Sequence, residues 1–200
     1  MSPGEPRTYH HGDLRSALLC AALALLEDEG PNALSLRRLA RTVGVSPMAP
    51  YHHFADREAL LAAVATLGFE RLQERKLETE RAHASAREAL AIGAAAYVRF
   101  ILDNPNLYRL MKGPVFADRT LYPDLQRAAA APARTLLTVL GRLQAEHAPA
   151  LPPAEEAAQM LWGLAHGIGT LALDGQVRRE AAPDLAQSAA TAMIDGWLGT

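Results

Sequence analysis

The side chains in this 200-residue sequence that could do chemistry are seven histidines, five tyrosines, one cysteine and a crowd of arginines. Nucleophilic catalysis needs a Ser or Cys beside a His that a third group orients, and no such Ser-His-Asp grouping stands out. Paired catalytic carboxylates, a glycine-rich phosphate loop and metal-ligand spacing do not stand out either. The histidines come partly in pairs, His10-His11 and His52-His53. Adjacent helical side chains point about 100° apart, so neither pair is a chelate, and no acid or thiol stands close by. Hydrogen bonding to phosphate is the chemistry left to them. No catalytic residue, metal site or cofactor is expected. Cys20, set among Ala and Leu, has no partner for an intramolecular disulfide and reads as a buried, inert thiol in a reducing cytoplasm.

Formal net charge is -2, so a nucleic-acid partner must be met by a local patch rather than by the whole chain. Such a patch exists. Residues 35 to 57 hold Arg37, Arg38, Arg41 and Arg57 against the single acid Asp56, a window of +3. Inside it lies GVSPMAPYHHF, residues 44 to 54. Ser46 suits an N-cap and Pro47 the first position of a short helix. Pro50 does not, because it removes the first helical hydrogen bond and crowds the Ser46 carbonyl. Either this helix starts late, at Pro50, or its first turn is distorted. Both outcomes leave Pro47, Met48 and Ala49 as a donor-poor apolar tip, better suited to thymine methyls than to bidentate reading of guanine.

A second grouping is apolar. Residues 97 to 122 gather Tyr97, Phe100, Tyr108, Met111, Phe116 and Tyr122, and further on Trp162 and His166 share a helix face as i, i+4 neighbours. An ordinary core explains such a stripe about as well as a cavity does. The tyrosine hydroxyls, which need partners when buried, tip the reading toward a ligand cavity lined by these eight residues. A lone histidine on an apolar face is more often a satisfied core residue than a ligand contact. Gly163, Gly167 and Gly169 surround the pair, each costing a helix roughly 1 kcal/mol relative to Ala, so close approach of another helix, or of a partner subunit's helix, is expected there.

The elements that must position these groups are helices. Apolar spacing of 3.6 recurs throughout, and no alternating run is long enough for a strand, so the class is all-α. Leu14, Leu18, Ala22 and Leu25 mark a first helix that Gly30-Pro31 ends. Ser35 caps a second, with Leu36, Leu39, Ala40 and Val43 inward and the arginines outward. Asp56 caps a long helix whose far half, ERLQERKLETERAH, reads as a solvated mixed-charge face. Further helices are expected near 84 to 103, 105 to 112, 122 to 147 (bent or broken by Pro132), 154 to 174 and 183 to 198. The organisation is a three-helix unit over residues 10–56 and a larger helical unit over 57–200. The longest apolar stretch, residues 160 to 173, is too short to span a bilayer, and a soluble, unexported, cytoplasmic protein is expected.

At residues 35 to 62 the pattern becomes specific. SLRRLARTVGVS followed by PMAPYHHFADREALL resembles the DNA-binding domain of the TetR family of transcriptional regulators over about residues 10 to 62. By that resemblance the segment ending in Tyr51-His52-His53-Phe54 enters the major groove. Tyr51, His52 and His53 then meet phosphates or base edges, and Arg57 holds a backbone phosphate. Ser35, Arg37, Ser46, Pro47, Met48 and Ala49 complete the expected DNA-contacting set. Pro50 departs from the family, which usually carries a large apolar residue there. The W-x-x-x-H-G pattern at 162 to 167 resembles the WHG-type C-terminal domain of some members, in which the last two long helices build a four-helix bundle with a second subunit. Ile194 and Trp197 are then interface candidates.

The expectation is a homodimeric regulator that binds an inverted-repeat operator in double-stranded DNA and, as a repressor, leaves it when a small-molecule effector binds. The alternatives are a constitutive regulator or activator whose second half only dimerises and, far behind, a helical enzyme.

Overall fold

A computed structural model of the chain describes residues 11–113, 119–147 and 151–199. His10 and Phe116 lie outside the described residues. Among the described residues there are eight α-helices and no strand. Helix α1, His11–Glu29, buries Leu14, Leu18, Leu19, Ala22, Leu23 and Leu26. Gly30 stops it at a positive φ of 80° that glycine adopts without strain, and Pro31 opens a short 3₁₀ turn, Pro31–Ala33. Ser35 caps α2, Leu36–Val43, by accepting the Arg38 N–H at 3.3 Å. Gly44, φ 78°, closes α2, and the N–H groups of Gly44 and Val45 return to the carbonyls of Arg41 and Ala40. That double closure needs a left-handed residue, which glycine adopts without strain.

Helix α3, Arg57–Ala82, starts where the Asp56 carboxylate accepts the Ala59 N–H at 2.8 Å. The rest of the chain is α4, Ala86–Asp103; α5, Pro105–Lys112; α6, Pro123–His147; α7, Ala154–Leu173; and α8, Ala182–Leu198. Helix α4 sits in the middle, packed against α3, α6, α7 and α8. Its buried Ala86, Ala89, Ala94 and Ala95 are small enough to let four neighbours approach. Two glycines lie at close approaches of one helix to another. A Cβ on Gly169 would lie 2.5 Å from Ile101 Cδ1 on α4, and one on Gly68 2.7 Å from Met111 Sδ on α5. Gly163 and Gly167 have nothing within 4 Å of a Cβ, so within this chain the close packing expected of all three α7 glycines holds for Gly169 alone. Helix α6 runs through Pro132 as one element.

One apolar core runs from Leu14 on α1 to Ile194 on α8. Ile194 is fully buried in it, so this side chain is not on an outer face. Cys20 is exposed, contrary to the expectation of a buried thiol. The cause is helical phase: Ser16, Cys20 and Ala24, four residues apart, share the outward side of α1. No helix among the described residues is long and apolar enough to cross a membrane.

Candidate nucleic-acid interface and internal cleft

The segment after Gly44 resolves the conflict between Ser46 and Pro50. Pro50 has no N–H, so the Ser46 carbonyl accepts from Ala49 instead, at 3.0 Å. The chain continues in a 3₁₀ turn, Ala49–His52, with Tyr51 N–H on the Met48 carbonyl at 3.1 Å and His53 N–H on that of Pro50 at 3.0 Å. Each of the two outcomes open in the sequence is realised in part: the element starts late, at Ala49 with Pro50 next, and it is a 3₁₀ turn rather than an α-helix. No side chain caps it, and Ser46 contributes its carbonyl rather than its hydroxyl. Pro50 itself is buried beneath the turn.

Above that buried anchor the turn presents Pro47, Met48, Tyr51 and His52 outward, with Met48 65% and Tyr51 41% exposed. Ala49 and His53 are partly covered, and Phe54 is buried with the Arg15 guanidinium 5.6 Å from its ring centroid. Arg37 and Arg41 are exposed on α2. Arg38 has turned back to pair with Glu29 at the end of α1, so part of the +3 window is spent on joining two helices. Arg57 also has an internal task. Its Nε–H donates to the Leu34 carbonyl at 2.9 Å and its Nη2 to that of Pro31 at 2.7 Å, which ties the α1–α2 connection to the first turn of α3. The residue remains exposed.

The second site is a two-lobed cleft whose shared wall is Lys76, Tyr97, Leu136 and Trp162. One lobe, a narrow cavity of about 60 Å³, runs between α3, α4, α6 and α7 past Leu90, Gly93, Val139 and Leu161. The other, about 290 Å³, is bounded by Phe69, Leu72, Lys112, Ala133 and Gln159. At the wall Trp162 Nε1–H donates to Tyr97 Oη at 3.4 Å, and His166 Nδ1 stands 3.3 Å from Tyr97 Oη and 2.8 Å from Tyr108 Oη. The Trp162 and His166 rings lie with centroids 4.9 Å apart. Burial, and then the Lys112 charge, hold His166 below its ordinary value, so the imidazole is neutral at neutral pH. Burial pushes the Tyr97 and Tyr108 hydroxyls up, so both keep their protons and the Tyr108 O–H can donate to the neutral imidazole.

Lys76 overturns the reading of its stretch as a plain solvated face. It points into the cleft, Nζ donates to the Pro132 carbonyl at 3.3 Å, and desolvation, with the Lys112 charge second, pushes its ammonium down from 10.5 to about 8. The stretch is long enough to turn one side inward because α3 packs lengthwise against α6. Next to it Gln73 Nε2–H donates to Thr135 Oγ1 at 2.8 Å.

Of the eight aromatic, Met and His positions singled out in the sequence, the structure brings Tyr97, Tyr108, Trp162 and His166 into one network. Phe100 and Met111 are fully buried in the core, with Met111 set against Gly68. Tyr122 lies elsewhere, donating to Glu58 Oε2 at 3.3 Å beside the exposed face of α1. Lys76, Lys112, Gly93 and Gln159 were missed. One signal was available: these are the chain's two lysines, in a sequence whose other basic residues are all arginine.

Two family models match the chain in turn. Residues 18–64 match the family model described as bacterial regulatory proteins, tetR family, and residues 89–196 match the tetracyclin repressor-like C-terminal domain. The chain is 30% identical over 161 residues to the HTH-type transcriptional regulator BetI of Rhizobium meliloti (strain 1021), spanning 78% of this chain and 75% of that one. A solved structure of a protein of unknown function from Rhodococcus sp. RHA1 superposes with TM-score 0.82 at 35% identity, covering 93% of this chain and 97% of that one. FadR of Bacillus subtilis, solved in complex with stearoyl-CoA, shares the fold, with TM-score 0.72 at 17% identity over 88% of this chain and 97% of that one.

Proposed function

The chain belongs to the TetR family of bacterial transcriptional regulators, and from that premise we propose that it is a homodimeric repressor released from operator DNA by a small-molecule effector. One observation carries the reading. The 26-residue helix α3 begins at Arg57, which holds the DNA-binding unit together, and carries Lys76 in the cleft wall about 28 Å further along. A ligand that shifts α3 at the cleft must also move the seat of the 3₁₀ tip. We place the boundary between the DNA-binding unit, 10–56, and the effector and dimer unit, 57–200, at the Asp56 cap.

On DNA, the exposed Arg37, Tyr51 and His52, with His53, Ser35, Ser46 and Arg57, position the tip against phosphates. Pro47, Met48 and Ala49 provide an apolar contact to base edges. Dimerisation through α7 and α8 is supported by two outward stripes at helical spacing. Met160, Gly163, Gly167 and Leu171 line one, and Leu185, Ala189, Ala192 and Gly196 the other. The contact of the tilted Trp162 and His166 rings at the cleft favours the WHG-type reading of the C-terminal unit.

Titrating the full chain with source-genome fragments by fluorescence anisotropy tests the proposal. A salt-sensitive complex on an inverted repeat is expected; no complex even in dilute buffer overturns it. Because coupling is reciprocal, operator DNA must weaken effector binding by the same factor by which effector weakens DNA binding.

A further inference from the structure

We infer that Lys76 is a covalent capture site: its amine, set in the shared wall of the cleft, condenses with a compact apolar aldehyde and holds it as a reversible imine. The regulatory consequence rests on the cleft being the effector site, whereas the chemistry at Lys76 stands without it.

Position is the first support. Lys76 lines both lobes, and the residue is partly exposed while its Nζ turns inward to the Pro132 carbonyl at 3.3 Å. A nucleophilic lysine needs such a setting, drawn out of bulk water yet open to a solute. One donated hydrogen bond suits a neutral amine and leaves its lone pair for a carbonyl carbon, whereas an ammonium has three N–H groups to place. Around it α3 brings Glu80, which stands 3.6 Å from Arg142 of α6, while α5 brings Lys112 and α4 brings Tyr97. In this setting the Lys76 ammonium is pushed down to about 8, with desolvation the first cause. Near neutral pH such an amine is unprotonated roughly a hundredfold more often than an ordinary lysine.

Residue choice and space are the second. Arginine fills every basic position of the chain except 76 and 112. A guanidinium stays charged, so of the two basic residues lysine is the one that permits the reaction. The lobe of about 290 Å³ runs from Lys76 past Leu72, Ala133 and Leu136. An apolar cavity of about 150 Å³ holds one benzene, so this lobe admits a single ring or a short chain. Tyr97, whose hydroxyl keeps its proton, and Gln159 line the same lobe and offer donors to the carbonyl oxygen. The nitrogen lone pair adds to the carbonyl carbon, both amine hydrogens leave with the carbonyl oxygen as water, and a C=N bond remains. Nothing is oxidised or reduced. The imine nitrogen is less basic than the amine, so capture removes a charge from a place where desolvation makes it costly.

Hexanal, with hexanol as the control that cannot condense, is incubated with the full chain and cyanoborohydride, which reduces an imine to a stable secondary amine. Peptide mass mapping should find the hexyl group on Lys76, added at least about tenfold faster than to the same residue in the urea-unfolded chain. Lys76→Met should leave only slow incorporation elsewhere, with unchanged helical circular dichroism showing that the variant folds. In calorimetry without reductant the same variant should bind hexanal more weakly and hexanol as before. Incorporation spread evenly over Lys76, Lys112 and the amino terminus, a rate at Lys76 that urea does not change, or no incorporation overturns the inference. Operator anisotropy keeps the two readings apart. A Lys76 adduct that leaves DNA affinity unaltered sinks the effector reading and keeps this one, whereas release of DNA by hexanol as readily as by hexanal, with no adduct formed, does the reverse.

Discussion

At the scale of single residues, two cations do opposite things. Arg57 is a net stabiliser, because its fork satisfies the Leu34 and Pro31 carbonyls at a junction that no helix closes. Arg57→Ala should lower the unfolding free energy by about 1–3 kcal/mol in urea titrations, and Arg57→Lys should recover little, since an ammonium cannot span both carbonyls in one plane. Lys76 is a net cost. Its folded-state value of about 8 lies below the 10.5 of an unperturbed lysine, so the unfolded chain holds the proton more tightly. The penalty is complete below pH 8 and fades as pH rises through 10.5. Lys76→Met should therefore stabilise the protein by up to about 3 kcal/mol near neutrality, with the gain over the wild type shrinking above pH 8. A gain that does not change with pH would assign the effect to packing instead.

At the scale of elements, the 3₁₀ tip is where sequence rules collide productively. Ser46-Pro47 would open an α-helix, Pro50 forbids its first hydrogen bond, and the compromise lifts an uncharged thioether to the outermost point of a basic face. If Met48 reads base edges, Met48→Ala should change the order of preference among operator variants. The slope of log affinity against log salt should hold, because no phosphate contact has been removed. A lower slope with unchanged preference would place Met48 on the backbone. The same reasoning separates Arg37, whose loss should reduce the slope by about one unit on every sequence.

For the whole molecule, two units share elements, and the proposed regulation also needs a second copy. Besides α3, a second bridge joins them. The Glu27 carboxylate on α1 accepts the N–H groups of Asn106 and Leu107 at the start of α5, at 3.3 and 2.8 Å, and α5 carries Tyr108 and Lys112 to the cleft. Glu27→Ala should cost about 1–2 kcal/mol of stability and, more tellingly, reduce the effector's ability to displace DNA while each ligand still binds alone. Assembly is testable at Gly163, where a Cβ would meet nothing within 4 Å among the described residues. Gly163→Leu should leave the fold intact and shift the protein toward monomer in sedimentation, with operator affinity falling in step.

Much of this was determined by the sequence by itself. Helical periodicity, the Ser35, Gly44 and Asp56 caps and the Tyr51–Phe54 segment are local signals, and local rules placed every helix to within a few residues. Pro50 announced a disturbed turn for the same reason, since a missing N–H acts within one turn of chain. What only the tertiary structure decided was which side of each helix meets another. Lys76 is an ordinary member of a charged run until α6 packs along α3. Phe100 and Met111 belong to the core and Trp162 to the cleft, though all three looked alike in sequence. Cys20 is outward because α1 needs only part of its circumference to bury Leu18 and Leu26. Burial depends on residues far away in the chain, and spacing along one helix carries no information about where those residues come to rest.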